Sequence, residues 1–112
     1  MNDETRKNLV DIQQASEEIQ NFTNGMDFPA YQSSSVTQRA VERDFEIIGE
    51  ALSRIKRTDP AILDTISENH RIISFRNILI HGYDMVDEAI VWNAVKNHLP
   101  ILIEEVKRAL NA

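Results

Sequence analysis

The sequence contains no cysteine, and it has only three glycines and three prolines in 112 residues. Without cysteine the chain forms no disulfide framework, and it offers neither a thiolate metal site nor a thiolate nucleophile. This absence fits a reducing compartment, and we expect a cytoplasmic protein. Glycine and proline are the residues that most often punctuate regular structure, so their scarcity predicts long elements with few breaks.

Long apolar runs and an excess of basic residues are lacking as well. No run approaches the roughly 20 residues that cross a bilayer, and the polar start MNDETRKNLVDIQQ predicts no signal peptide. The net charge is −6, which argues against broad, non-specific coating of nucleic acid. Residues 1–50 hold four basic and ten acidic residues, whereas residues 51–112 hold eight of each. Any phosphate-binding role must therefore depend on a local site, and the acidic half suits a basic protein partner or simply solubility.

Apolar residues recur at helical spacing along almost the whole chain, and strand-like alternation is absent, so we expect an all-α fold. The long helices are predicted at about 5–23, 35–56, 71–81 and 88–99, with shorter segments after Pro29, Pro60 and Pro100. Short loops between helices favour antiparallel neighbours. We therefore predict a single domain, residues 1–112, built as an antiparallel four-helix up-and-down bundle with an additional short helix.

Two predicted helices have a clear apolar stripe. The first stripe contains Leu9, Ile12, Ile19 and Phe22, and the second contains Val41, Phe45, Ile48, Leu52 and Ile55. Gly49 lies in the middle of the second helix, where glycine costs up to about 1 kcal/mol against alanine. A close contact with another helix is the usual compensation, so we expect a neighbour to approach there.

The stretch FRNILIHGYD, residues 75–84, places an arginine within an apolar helix. At about 100° per residue, Arg76 falls on the same side as Ile72 and Ile80, which should be buried. Burying an unpaired guanidinium costs several kcal/mol. Two interpretations remain open: a buried ion pair with one of Glu42, Glu46 and Glu50 on the second helix, or a position that faces a cleft or a subunit interface.

His81 and Tyr83 follow Arg76 at the predicted end of the same helix, where Gly82 is a good stop signal. A helix C-terminus favours a charged imidazolium, and histidine is the side chain best suited to move protons near neutral pH. A histidine that only caps the last carbonyls is the alternative. Tyr83 is either a functional residue in a turn or an aromatic that seals the end of the bundle.

The residues R-N-I-L-I-H-G-Y resemble the R-x-x-x-x-H-x-Y signature of HEPN domains, specifically the HepT-like toxins. Two flanking segments strengthen the match, since AVERDFEIIGEAL and VDEAIVWNAVKNHLPILIEEV look like the second and last helices of that family. The resemblance covers essentially the whole chain. It implies a helical bundle that forms a homodimer, with arginine and histidine lining a cleft at the dimer interface.

The resemblance also implies an activity and a partner. The chain would be the toxin of a type VII-like toxin–antitoxin pair, a metal-independent endoribonuclease that uses no cofactor. Carried over by position, the catalytic residues are Arg76 and His81, with Asn77 and Tyr83 in support. A cognate MNT-type nucleotidyltransferase antitoxin, called MntA in some systems, would silence the toxin by AMPylation of Tyr83. Asp84 departs from the apolar or aromatic residue that follows this tyrosine in many relatives, so it either weakens phosphate binding or helps to bind a partner.

Arg76 and His81 lie about 140° apart around a straight helix, so they do not share a face. Three arrangements would join them: a helix that loosens after Ile80, an arginine that reaches along the surface, or residues from two chains. We expect a dimer cleft together with a frayed helix end. A two-fold dimer would also supply a second His81, and cleavage of RNA through its own 2′-hydroxyl uses two proton transfers.

Other functions also fit the sequence. The chain could be a non-catalytic helical module that presents a substrate to a nucleotidyltransferase, which the net charge and Asp84 favour. It could be a metal enzyme that uses His70, His81 and His98 with Asp84 and Asp87, although no helical His pair or H-E-x-x-H motif is present. A purely structural bundle is the remaining alternative. Loss of RNA cleavage on changing His81 discriminates the nuclease from the binding module.

Overall fold

In the computed structural model, which describes residues 1–81 and 86–112, every regular element is helical. The elements are α1 (Asp3–Thr23), α2 (Phe28–Gln32), α3 (Ser35–Thr58), α4 (Pro60–Leu63), α5 (Asn69–His81), α6 (Glu88–Asn93), a π-helical turn (Ala94–His98) and α7 (Leu99–Asn111). The all-α prediction is confirmed, whereas the up-and-down order, the single domain and the dimer stay predictions. None of the helices in the described ranges is long and apolar enough to span a bilayer.

The helix ends lie close to the predicted boundaries because side chains cap them. Asn2 accepts a hydrogen bond from the backbone N–H of Thr5 at 2.8 Å, which starts α1. Gly25, with a φ of 76°, follows the last turn of α1 and allows the chain to reverse. Asp59 caps α4 ahead of Pro60 as expected, although α3 continues to Thr58, two residues beyond the prediction.

Helix α3 packs on both α1 and α5, and α7 packs on α1. All five residues of its predicted stripe, from Val41 to Ile55, are fully buried. The stripe of α1 is confirmed at Leu9, Ile12 and Ile19. Phe22 does not belong to it and is 40% exposed, because the buried face of α1 ends on Ile19 and Thr23 instead.

The predicted fourth helix is interrupted by a π-helical turn, which the sequence analysis did not anticipate. Pro100 lies in the first turn of α7, just after this wider turn. A proline has no N–H to donate, and its ring collides with the carbonyl four residues earlier in a regular α-helix. The wider turn moves that carbonyl away, so the chain passes Pro100 and stays helical.

Aromatic packing joins α2 to α6. Tyr31 is fully buried, and its ring centroid lies 5.1 Å from that of Trp92. Burial raises the pKa of Tyr31, and the negative charges of Glu42 and Glu88 raise it further. Lys96 covers the other aromatic ring, with its Nζ 4.8 Å from the Trp92 centroid. These contacts hold the short helix α2 against the second half of the chain.

Candidate active site

Helix α5 carries the Arg76–His81 motif, and it is anchored to α3 by its apolar face. Ile72 is buried as predicted, Phe75 and Leu79 are buried beside it, and Ile80 is half-buried. The ring of Phe75 meets that of Phe45 edge to face, with centroids 5.2 Å apart. This geometry is favourable for an aromatic pair, so it fixes how α5 lies along α3.

Arg76 lies at the border between this buried face and solvent, and its side chain is half-buried. It packs on Gly49 of α3, where a Cβ atom would lie 2.8 Å from Arg76 Cγ and 3.2 Å from Arg76 Cδ. The expected close helix–helix contact at Gly49 is therefore confirmed. The residue that makes this contact is Arg76 itself.

The guanidinium of Arg76 makes few polar contacts within the described part of the chain. One terminal nitrogen, Nη1, donates to Oδ1 of Asn77 at 3.4 Å, which is a long hydrogen bond. The Nε atom is fully enclosed and has no acceptor among the described residues. The two terminal nitrogens are therefore the guanidinium atoms that a ligand could contact.

The interpretation of Arg76 as half of a buried ion pair with α3 is wrong. Glu46 pairs with Arg43 at 3.3 Å, and Glu50 pairs with Arg54 at 2.7 Å, so both acids are held within α3 itself. The pKa of Glu42 is raised by burial, which the nearby Arg39 only partly opposes. In the described ranges, none of the three acids forms an ion pair with Arg76.

His81 is the last residue of α5, and its side chain is exposed. The helix stays regular through His81, so the expected loosening directly after Ile80 is wrong. Arg76 and His81 therefore remain about 140° apart around one helix axis. Along the regular helix the two side chains do not share a face, so an arginine that reaches along the surface and residues from two chains both stay as predictions.

The remaining motif residues divide between the surface and the undescribed segment. Asn77 is exposed, and its described contact is the one with Arg76. Gly82, Tyr83 and Asp84 lie outside the described residues, so the predictions made for them stay predictions.

An apolar groove of about 230 Å³ lies between α5 and α6, on the flank of α5 away from Arg76. Ile78 and Ile90 line it and are 47% and 57% exposed, which is unusual for isoleucine. His98 closes one end, with its Nδ1 3.1 Å from Oε2 of Glu68 but poorly aligned for a hydrogen bond. The sequence does not reveal this pair, because 30 positions separate the two residues and their approach depends on tertiary packing.

The candidate metal ligands that the structure describes, which exclude Asp84, do not gather into a site. Among residues 1–81 and 86–112, no group of three histidine, aspartate or glutamate side chains is close enough to hold a metal ion. His98 instead contacts Glu68, and Asp87 accepts a hydrogen bond from the N–H of Ala89 at 2.8 Å as the cap of α6. The described residues therefore give no support to the metal-enzyme alternative.

Comparison with known proteins gives a consistent result. A family model described as ribonuclease HepT-like matches residues 12–109. A probable ribonuclease HepT from Thermococcus cleftensis is 38% identical over 98 residues, which cover 84% of each chain. A protein of Methanocaldococcus jannaschii, named as an inferred RNase, is 30% identical over 96% of this chain and 88% of its own length. A similarly named protein of Caldanaerobacter subterraneus is 30% identical over 94% of this chain and 93% of its own. No solved structure matches the chain.

Proposed function

Because the chain belongs to the HepT-like ribonuclease family, we propose that it is a metal-independent endoribonuclease that acts as the toxin of a toxin–antitoxin pair. The observation that carries this proposal is the state of Arg76. Its guanidinium has no acidic partner among the described residues, and its terminal nitrogens are left for a ligand. A half-buried arginine without a carboxylate is costly as structure alone, and a phosphate would complete its hydrogen bonds.

The proposed reaction uses the nucleophile that RNA itself carries. The 2′-hydroxyl oxygen attacks the adjacent phosphorus while a histidine removes its proton, and the bond from phosphorus to the 5′-oxygen of the next nucleotide breaks. A second histidine donates a proton to that leaving oxygen. The products are a 2′,3′-cyclic phosphate and a 5′-hydroxyl. In this scheme His81 carries the proton transfers and Arg76 stabilises the negative charge that builds on the phosphoryl oxygens.

A homodimer would assemble this site. Each chain contributes one motif histidine, so a two-fold axis near the end of α5 would bring two copies of His81 to one phosphate. The exposed Ile78 and Ile90 give this flank an apolar surface that a second copy would cover. We therefore assign the α5–α6 flank to the dimer interface. Ile78 lies about 60° from His81 around α5, whereas Arg76 would reach the shared phosphate from the other side of the helix end.

Control by a cognate nucleotidyltransferase completes the proposal. AMPylation of Tyr83, two positions after His81, would add bulk and a negative phosphodiester beside a site meant for RNA phosphate. The acidic first half of the chain offers a surface for a basic partner. The alternative function, a non-catalytic module that partners a nucleotidyltransferase, is favoured by the same acidic surface.

The proposal is tested by RNA cleavage in EDTA with protein whose Tyr83 is shown by mass spectrometry to be unmodified. We expect the wild type to leave cyclic phosphate ends. Arg76→Ala should lower the rate by about 10²–10³-fold, as loss of a charge-stabilising donor does, and His81→Ala by about 10²–10⁴-fold, as loss of a proton-transfer group does.

Two matched controls are exposed residues outside the proposed site, His70 on α5 and Arg39 on α3. Replacing each by alanine should leave cleavage within about twofold of the wild type. Equal losses in the control variants would contradict the assignment of Arg76 and His81. Inactive wild-type protein with unmodified Tyr83 would favour the binding module.

A further inference from the structure

We propose that Gly49 of α3 is a positioning residue for Arg76. The first side-chain carbons of Arg76 pack against Gly49, a contact called the seat of Arg76 below, and this contact determines which edge of the guanidinium meets a phosphate. The role in RNA cleavage rests on the proposed function. The seating of the side chain does not, because it is a property of the folded chain that is measured without RNA.

The contact explains why glycine occupies this position. Gly49 is buried in the middle of a 24-residue helix, and its φ is not in the left-handed region, so the backbone there does not require glycine. Alanine is the better helix former. An alanine Cβ, however, would overlap the Cβ of Arg76 and lie 2.8 Å from its Cγ. These atoms belong to the stem next to the backbone, so the arginine cannot avoid the clash by turning its far end.

The neighbouring contacts prevent α5 from moving away. Phe45 lies one helical turn before Gly49, and its edge-to-face contact is with Phe75, the residue before Arg76. Ile48 and Leu52, which lie close to Gly49 along α3, are both fully buried. The aromatic contact holds the two helices together one turn from Gly49, so an added methyl group must displace Arg76 or force the helices apart.

The seat determines how the guanidinium is presented. With the first side-chain carbons held against Gly49, Nε is enclosed and has no acceptor in the described ranges. The contact of Nη1 with Asn77 Oδ1 turns the head along α5. A phosphate would then meet the edge formed by the two terminal nitrogens, which can donate two parallel hydrogen bonds. If an alanine Cβ at position 49 occupied this space, Nε would be displaced towards solvent, and the two terminal nitrogens would take a different orientation.

The seating is tested by a stability cycle with Gly49→Ala in three backgrounds. With Arg76 present, we expect Gly49→Ala to lower the urea midpoint of unfolding, although alanine favours the helix. The decrease should be smaller with Arg76→Ala, which removes Cγ and Cδ, and the sign should reverse with Arg76→Gly, which removes the clash entirely. Ser53→Ala, a half-buried position one turn further along α3, is the matched control and should not lower the midpoint. A higher midpoint for Gly49→Ala beside Arg76 would overturn the inference.

A second readout follows the orientation of the side chain directly. The enclosed Nε–H of Arg76 should exchange slowly with solvent in a nitrogen-15 NMR experiment, and Gly49→Ala should make it exchange at the rate of the exposed arginines. Unchanged slow exchange in a folded Gly49→Ala protein would contradict the seating.

Cleavage is then measured well below the unfolding midpoint of each variant. We expect Gly49→Ala to lower kcat by about ten- to a hundredfold, as a displacement near 1 Å does, with a smaller change in KM, while Ser53→Ala cleaves like the wild type. Wild-type rates for Gly49→Ala, when Arg76→Ala is inactive, would overturn the positioning role and leave the nuclease intact. An inactive wild type would refute the nuclease, and the stability and exchange results would still decide the seating.

Discussion

Asp44 lies in the interior between α1 and α3, where only 5% of its surface is exposed. The pKa of this carboxyl is raised from 3.8 to about 6, mainly by burial and also by the negative charge of Glu18 on α1 and a hydrogen bond with it. The folded chain therefore binds this proton more tightly than the unfolded chain does. The contribution of this bound proton to the free energy of unfolding is fully present below about pH 4 and is lost as the pH rises to about 6. At neutral pH the buried charge therefore destabilises the fold.

Replacing Asp44 by asparagine removes this charge and keeps the shape of the side chain. We expect Asp44→Asn to increase the free energy of unfolding by about 1–3 kcal/mol at pH 8, and the gain should shrink towards zero below pH 4. Urea unfolding at both pH values measures it. Glu17→Gln, an exposed neighbour on α1, is the control and should change little. The same gain at both pH values would show that titration of Asp44 is not the cause.

Arg76 illustrates what a single sequence can and cannot predict at this scale. Helical periodicity placed it beside apolar residues, and the cost of a mid-helix glycine predicted a close approach to Gly49. The sequence did not reveal that these two features are one contact, because the register between α3 and α5 depends on how the whole interface packs. For the same reason, the alternative of an ion pair with Glu42, Glu46 or Glu50 was chemically reasonable and wrong.

At the scale of whole elements, local signals in the sequence determine where the helices begin. Asn2, Asp27, Ser34, Asp59 and Asp87 each place a side-chain oxygen on a backbone N–H at the start of a helix. Such caps act over three residues and are readable without knowledge of the fold. The π-helical turn before Pro100 was not readable, since several adjustments can accommodate a proline and tertiary packing selects among them.

The cap of α3 provides a direct test of this local control. Ser34 Oγ accepts a hydrogen bond from the N–H of Thr37 at 3.2 Å. We expect Ser34→Ala to lower the free energy of unfolding by about 1 kcal/mol, measured by urea unfolding, because it leaves that N–H without its partner. Ser35→Ala changes the adjacent exposed residue, which does not serve as the cap, and should cost much less. Equal costs at both positions would show that the cap is not what stabilises the start of α3.

At the scale of the whole molecule, charge and apolar surface are distributed unevenly. The acidic residues are concentrated in the first half of the chain, whereas the exposed isoleucines Ile78 and Ile90 lie in the second half beside the groove. Repulsion between like charges disfavours contact of two acidic surfaces, so a second copy would approach through the α5–α6 flank. This asymmetry leaves the acidic surface open to a different partner while the proposed dimer is formed.

The dimer interface is testable by one charged substitution. We expect the wild type to sediment as a homodimer, and Ile78→Asp should shift it towards a monomer, because it buries an unpaired charge in the proposed interface. RNA cleavage should fall in parallel at low protein concentration. Val36→Asp, at an apolar residue that is 80% exposed on α3, is the matched control and should remain dimeric. A dimeric Ile78→Asp protein would place the interface elsewhere.

Trp92 is the one tryptophan of the chain, so its contact with Tyr31 gives the molecule a built-in optical reporter. Light absorbed by the tyrosine can pass to the indole 5.1 Å away, and emission from the indole depends on how much water reaches it. Fluorescence at this position therefore records the separation of α2 from α6 without any added dye. Since α6 also lines the groove beside Ile90, the same signal can follow association of the chain in real time.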